Sequence, residues 1–407
     1  GGSMTTTIIS HRQRGECPSL SKPMPTGDGL LARINPMNGA ISPADLAGVA
    51  EAAKRCGNGL LEVTLRGSLQ IRGLRDETVA DMNAAVEALG LTIRTGLPLD
   101  TAPLAGLCAD ERADPRPLAD AIKSQASSFA SQLGPKVSIV VDGGGPSMLH
   151  GVKADIRLTA LNADTWQVAI AGDAETARFV GVYDAERAVQ SAVALLRTIA
   201  EGGRKMRGRD LLPTFETLQP PAQPRDPEPA QLHPGDILQL TDGRIAAVIA
   251  MPFGTVTAKT LIALCADLQI LGIRGLRLSP ERMLIMLCPD HAVAQAALHR
   301  SAGLDVITRP DDLRLRIVAC AGAPACASAH LNTHALAAEL AAKSANGQDL
   351  PFRLHLSGCE KECSKPAGTF ISVIGIPGSR KIVANGIVLP PDFSDRLMAQ
   401  TPMQRAS

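Results

Sequence analysis

Four cysteines are spaced as ligands of an iron-sulfur cluster. Cys320 and Cys326 stand in ACAGAPACASAH, and Cys359 and Cys363 in HLSGCEKECSKP, giving C-x5-C-x32-C-x3-C. A 4Fe-4S cubane needs four thiolates converging from different directions, and two short cysteine loops brought together by a fold can supply them. Ala321, Gly322, Ala323 and Ala325 let backbone approach the sulfides, Pro324 stiffens the loop, and an Ala-rich helix is expected from about Ser328 to Lys343. Structural zinc favours gaps of two to four residues in both pairs, so C-x5-C fits it poorly. Disulfides are disfavoured in a reducing compartment; they and four buried thiols without a cofactor stay open beside the cluster. Cys17, Cys56, Cys108, Cys265 and Cys288 are scattered, and most of them read as small buried apolar residues. His355, four residues before Cys359, is either a core histidine or faces the cluster or a second metal.

The elements that must position these loops occur twice. LLARINPMNGAISPADLAGVAEAAKRCGNGLLEVTLRGSLQIRG from Leu30 is matched by IAAVIAMPFGTVTAKTLIALCADLQILGIRGLRLSPERMLIMLC from Ile245, at an offset of 215. Each copy has a short apolar strand, a glycine (Gly39, Gly254) and a helix with apolar residues at i, i+3, i+4 and i+7: Leu46, Val49, Ala50 and Ala53, then Leu261, Leu264, Cys265 and Leu268. A helix-ending glycine (Gly57, Gly272) and a second strand follow. Another helix is expected around Val79 to Leu89 or Ala292 to Leu298, completing a ferredoxin-like α+β unit. The similarity continues at an offset of 216, pairing Gly106 with Gly322 and Pro135 with Pro351. That offset puts Leu104, Asp110, Gly143 and Ser147 where the second copy has its cysteines, so one cluster per chain is expected. The expected domains are half modules at 27–95 and 235–305 and larger α/β domains at 100–212 and 310–400. The Pro-rich stretch 213–234 reads as an extended linker.

Composition narrows the function classes. The chain has 407 residues, 45% hydrophobic, enough for two or three cored domains. A formal charge of +1 gives no overall field toward nucleic acid or an anionic membrane, and 2% aromatics leave little base-stacking surface. Gly1 to Ser3 precede Met4 and are set aside as a cloning remnant. No apolar run approaches 18 residues and no secretory leader precedes the first Pro-rich segment, so a cytoplasmic protein is expected.

C-x5-C followed by C-x3-C in the second half of a duplicated chain resembles the sirohaem-dependent sulfite and nitrite reductase superfamily, over residues 27 to about 390. The resemblance implies an α+β, internally duplicated fold of two ferredoxin-like half modules and two larger α/β domains. It also implies that Cys363 faces the macrocycle. The superfamily's T-x-R-x-x-x-Q strand matches Thr64, Arg66 and Gln70 in TLRGSLQI. On an alternating strand these share a face with Ser68, and planar donors there suit tetrapyrrole carboxylates; a solvated strand face is the plainer reading. Within the superfamily, CPSLSKPMPTGDGLLARI, PLAGL, VVDGGG and HLSGCEKEC resemble the precorrin-3B synthase family.

That resemblance implies a cobalamin-pathway monooxygenase. It hydroxylates precorrin-3A at C20 and closes a γ-lactone, using O2, a separate electron-donor protein and NADH as indirect reductant. A mononuclear non-haem iron is a further candidate cofactor. Departures from the reductases agree with this. GPKVSIVV keeps Lys136 but has Ser138 at the second position of their Lys-x-Lys pair, and TAPLAGLCADE contains no Arg. Fewer cations remove stabilisation from a small anion. Glu360, Lys361 and Glu362 between the last cysteines speak against sirohaem. Arg33, Arg66, Gln70 and Lys136 are the expected holders of acetate and propionate groups, with Gly143 and Gly144 letting backbone approach the ring or merely ending a strand. The basic run Gly203 to Asp210 either reaches substrate carboxylates or is solvated. Two further functions stay open: a sirohaem-dependent sulfite or nitrite reductase, and a non-catalytic Fe-S electron carrier.

Overall fold

The computed structural model describes residues 19–216, 222–224, 227–345, 350, 352–366, 368–389 and 392–393. Cys17, parts of the segment 213–234 and the end of the last expected domain lie outside the described residues. The first half module contains β1 (Met24–Thr26), β2 (Gly29–Ile34), β3 (Ala40–Ile41), α1 (Pro43–Cys56), β4 (Leu60–Val63), β5 (Leu69–Leu74) and α2 (Val79–Ala88). A larger domain follows with β6 (Leu99–Asp100), α3 (Arg116–Ala126), β7 (Ile139–Asp142), β8 (Ala154–Ala160), β9 (Thr165–Gly172), β10 (Arg178–Asp184), α4 (Ala185–Glu201) and α5 (Leu212–Glu216). The second half module repeats the first as β11 (Ile237–Gln239), β12 (Ile245–Ala250), β13 (Thr255–Thr257), α6 (Ala258–Ile270), β14 (Gly275–Ser279), β15 (Met283–Cys288) and α7 (His291–Gly303). The second larger domain has β16 (Ile317–Ala319), α8 (Thr333–Ala345), β17 (Leu354–Ser357), β18 (Phe370–Ile376) and β19 (Ser379–Asn385).

Local chemistry sets the duplicated helices at the same place in each copy. Ser42 accepts from the Asp45 N–H at 3.0 Å and Pro43 fits the first turn of α1; Thr257 accepts from the Thr260 N–H at 3.1 Å to start α6. Just upstream, Asn38 (φ 57°) and Phe253 (φ 58°) turn the chain through the left-handed region ahead of Gly39 and Gly254. The turn sends β3 and β13 away from their own sheets. β3 joins β14, with Ile41 opposite Leu276, and β13 joins β4, with Val256 opposite Leu61. The sheets therefore run β1-β2-β5-β4-β13 and β11-β12-β15-β14-β3, each closed on one edge by the other copy. Leu46, Val49, Ala50 and Ala53 share one core with Leu261, Leu264, Cys265 and Leu268, as their helical spacing predicts.

The larger domains also correspond. β6, β7 and β8 are parallel and β9 returns antiparallel, as do β16, β17, β18 and β19. β10 and α4 have no counterpart among the described residues of the second copy. The start of the expected linker is not extended: α5 takes its first residues because Leu212 and Phe215 pack on the first larger domain's core. Farther on, the Ala230 carbonyl accepts from the Ser147 N–H at 2.9 Å, so this part of the segment is docked on the domain. The Ala-rich helix starts at Thr333 rather than near Ser328, because the preceding residues bind the cysteine loops: His330 N–H donates to the Gly358 carbonyl at 2.7 Å and Thr333 Oγ1 to that of Cys320 at 2.7 Å. Among the described residues no helix is long and apolar enough to cross a membrane.

Candidate functional site

Parallel strands β16 and β17 end side by side, so the loops following Ala319 and Ser357 leave the same edge of their sheet. Those loops begin with Cys320 and with Gly358 and Cys359. The Gly358 N–H donates to Cys320 Sγ at 3.2 Å, and the Cys326 N–H closes its own loop on the Gly322 carbonyl at 2.7 Å. Gly322 needs to be glycine: it has φ +64°, and a Cβ there would lie 2.3 Å from Thr333 Oγ1. All four thiols are free. Burial raises Cys320, and the neighbouring Cys363 and Cys326 charges raise it further; Cys363 rises for the same reasons, through Cys359 and Cys326. Both shifts favour the neutral thiol, and a cationic centre such as the irons of a cubane would reverse them. Four cysteines on two facing loops are the donor type that a 4Fe-4S cluster takes, although among the described residues no three His, Cys, Asp or Glu side chains are already gathered as a metal site.

The first half module covers the cysteine loops. The Gly27 carbonyl accepts from the Ala327 N–H at 2.8 Å, and a Cβ on Gly27 would stand 2.2 Å from Cys326 Sγ. Gly27→Ala should therefore cut bound iron severalfold while every ligand remains. Iron analysis of folded, monodisperse protein checks this; wild-type iron content would show that the loop yields at little cost.

Behind Gly27 lies a network that spacing did not reveal as a unit. Arg72 grips Asp28 with two hydrogen bonds of 2.8 Å and reaches Glu62 Oε1 at 3.3 Å. Glu62 accepts from Gln70 Nε2 at 2.7 Å, and Gln70 Oε1 accepts from Arg33 Nε at 2.9 Å. Burial alone would raise Asp28, but Arg72 and Thr26 bring its carboxyl below the usual range. Burial likewise works against the Arg72 charge, yet Glu62, Asp28 and Cys320 hold it above the usual arginine range. Period-two reading of β5 from Gln70 would have found Arg72, and the register of β4 and β5 pairs Glu62 with Gln70.

The expected Thr64 to Gln70 strand face is corrected. Thr64 to Ser68 form the tip of a hairpin between β4 and β5: the Thr64 N–H donates to the Ser68 carbonyl at 2.9 Å, and Gly67 reverses the chain at φ +81°. Gln70 consequently lies in the buried network, while Arg66 projects from the tip. Arg66 donates to the Lys153 carbonyl at 2.7 Å and to Asp100 at 3.1 Å, and its side chain is 42% exposed. It lines a cleft of about 140 Å³ with Asn35, Arg94, Arg116 and Lys123.

The other expected substrate residues do not line one surface. Lys136 is exposed ahead of β7, while Gly143 and Gly144 follow its opposite end. The glycines accommodate the protein itself. A Cβ at Gly143 would lie 2.1 Å from the Ala113 carbonyl oxygen and one at Gly144 2.4 Å from the Arg112 guanidinium. Within the basic run, Arg207 is bound to Asp155 at 2.9 Å and Arg204 to the Ser131 carbonyl at 2.6 Å. His355 is a core histidine. Its Nδ1 meets Ser372 Oγ at 2.9 Å, its Nε2 meets Ser364 Oγ at 3.3 Å, and burial lowers its pKa to about 4.

Where the first copy has other residues in place of the cysteines, a carboxyl stands between the equivalent loops. Glu111 accepts from the Gly106 N–H at 2.9 Å, and a Cβ on Gly145 would be 3.3 Å from its Oε2. Burial pushes Glu111 up to about 7, with Asp114 and Asp142 adding to the rise. An acid raised on folding binds more protons folded than unfolded, so stability falls as pH rises from about 4.5 through about 7. Glu111→Gln should flatten thermal stability across that window; an unchanged pH profile would overturn the assignment.

Comparison with known proteins places this geometry. Residues 22–89 match the nitrite/sulfite reductase ferredoxin-like half domain. The chain is similar to a precorrin-3B synthase of Sinorhizobium sp, 34% identical over 96% of this chain and 87% of that protein. It is 24% identical to a ferredoxin--nitrite reductase of Synechococcus elongatus over 85% of this chain and 76% of the relative. Among solved structures, Mycobacterium tuberculosis NirA superposes with a TM-score of 0.63 at 19% identity, covering 87% of this chain and 73% of NirA, which places the fold. With a duplicated reductase-like fold and near full-length similarity at this level, the chain belongs to the precorrin-3B synthase family.

Proposed function

We propose that this enzyme hydroxylates precorrin-3A at C20 and forms the γ-lactone of precorrin-3B, using O2 and electrons from a separate donor protein that draws on NADH. The observation that carries the proposal is the 34% identity to a precorrin-3B synthase along nearly the whole chain. Cys320, Cys326, Cys359 and Cys363 would hold a 4Fe-4S cluster, which when bound supplies single electrons. Gly27 and the Ala327 N–H fix the loop around Cys326, and the Arg72 network holds the covering sheet rigid. Arg66 and Arg94, both neutralised by Asp100 here, can exchange that carboxylate for acetate or propionate groups of the substrate. Ser138 is buried, its N–H donating to Asp155 at 2.9 Å, so its position adds no cation for a small anion.

Anaerobically purified protein, given precorrin-3A, a reductant and isotopically labelled dioxygen, should yield a product containing one labelled oxygen atom. The second oxygen leaves as water, taking up two electrons and two protons. A protein that instead shows strong Soret and red bands and consumes sulfite would overturn the reading. A brown protein that binds no precorrin-3A would be an electron carrier.

A further inference from the structure

The first half module's hairpin tip has a counterpart between β14 and β15, and the two touch. The Glu281 N–H donates to the Leu65 carbonyl at 2.9 Å and the Arg282 N–H to that of Thr64 at 3.3 Å, while the Met251 N–H returns to the Arg282 carbonyl at 3.0 Å. Both Glu281 (φ 63°) and Arg282 (φ 61°) occupy the left-handed region without being glycine, a conformation that persists where surrounding contacts impose it. Arg282 is thereby fixed at the seam of the two copies. Its stem lies over Gly254, where a Cβ would be 2.6 Å from Arg282 Cδ.

The charges of the two tips are unequally matched. Arg66 has Asp100, but among the described residues Arg282 has no ion pair or side-chain hydrogen bond. Glu281 beside it is exposed, and Glu62 is committed to Arg72 and Gln70. Burial lowers the Arg282 pKa, with Glu281 and Glu62 opposing that and Arg353 adding to it. A largely desolvated guanidinium without a partner favours an incoming anion. Gly254 under the Arg282 stem leads to the cysteine loops through its neighbour. Phe253, next to Gly254, stacks edge-on to His334 with ring centres 5.7 Å apart, and His334 Nε2 lies 2.9 Å from the Cys320 carbonyl oxygen.

We infer that Arg282 binds a peripheral carboxylate of the tetrapyrrole substrate on the side of the seam facing the cluster loops, complementing Arg66 on the other. This rests on the proposed precorrin-3A activity and assigns the second copy a direct part in holding the macrocycle. A carboxylate there would satisfy the guanidinium in two-pronged fashion, which the ammonium of lysine cannot reproduce.

The test is an anaerobic titration of cluster-loaded protein with precorrin-3A, without reductant, followed by absorbance. Arg282→Gln should weaken binding at least tenfold and Arg282→Lys by less, with iron, sulfide and melting midpoint of the lysine variant at wild-type levels. If wild type binds precorrin-3A and both variants match it, the inference is overturned while the functional reading stands. If wild type binds none, the functional reading itself falls.

Discussion

Replacing any of Cys320, Cys326, Cys359 or Cys363 with alanine is expected to remove most bound iron and labile sulfide, and replacing Cys326 and Cys363 together should remove all of it. Each thiolate bonds a separate iron of a cubane, so losing one leaves a corner open to water and exchange. The loops come from adjacent parallel strands and are tied through backbone by the His330 N–H on the Gly358 carbonyl, so replacing a cysteine leaves the scaffold in place. Iron and sulfide analysis of anaerobically purified variants, alongside their circular dichroism, reads the effect. A doubly substituted protein retaining full iron would defeat the assignment, and precorrin-3A turnover should vanish with the metal.

Arg72→Met should be the most destabilising single change outside the hydrophobic core, about 3–5 kcal/mol in unfolding free energy, because it strands two carboxylates around one missing cation. The Asp28 side chain is 0% exposed and Glu62 17%, so water cannot take over the role of Arg72 at Asp28. The loss should depend on pH with a definite sign. In wild type, the depressed Asp28 contributes stability above its unfolded pKa and loses it as pH falls through the lower folded value. Without Arg72, the buried carboxyl rises above its unfolded value, and the variant loses stability as pH rises through that window. The gap between the proteins is therefore largest near neutrality and narrows in acid. Adding Asp28→Asn should restore part of the stability; denaturant melts at pH 4 and 7 give the comparison, and a pH-independent gap would refute the network's electrostatic role.

The duplication is legible in the sequence because helix-period apolar residues and turn glycines recur at an almost constant offset. The four clustered cysteines stand apart in spacing from the scattered remainder, of which Cys265 and Cys288 are buried and pushed up to about 12. Arg66 falls on the wrong face when an alternating pattern is read straight through Gly67, whose positive φ folds the strand back on itself. A hydrophobic pattern carries no information about such a reversal, whereas the Arg-Gly-Ser sequence does. Gly143 and Gly144 look permissive in sequence, yet the chain fills their space with Arg112 and Ala113. The partners of Arg72 come from Asp28 and Glu62, on separate segments, and only the register of the sheet brings them together.

Reciprocal donation of β3 and β13 makes this chain a strand-swapped two-fold dimer whose subunits are covalently joined. A lone half would satisfy its sheet edge only by finding a second copy, so its folding would depend on concentration; joining the halves makes that encounter intramolecular. Fusion also releases the two sites from identity. In a homodimer any substitution strikes both sites at once, but here the first copy carries Leu104, Asp110, Gly143 and Ser147 where the second carries four cysteines.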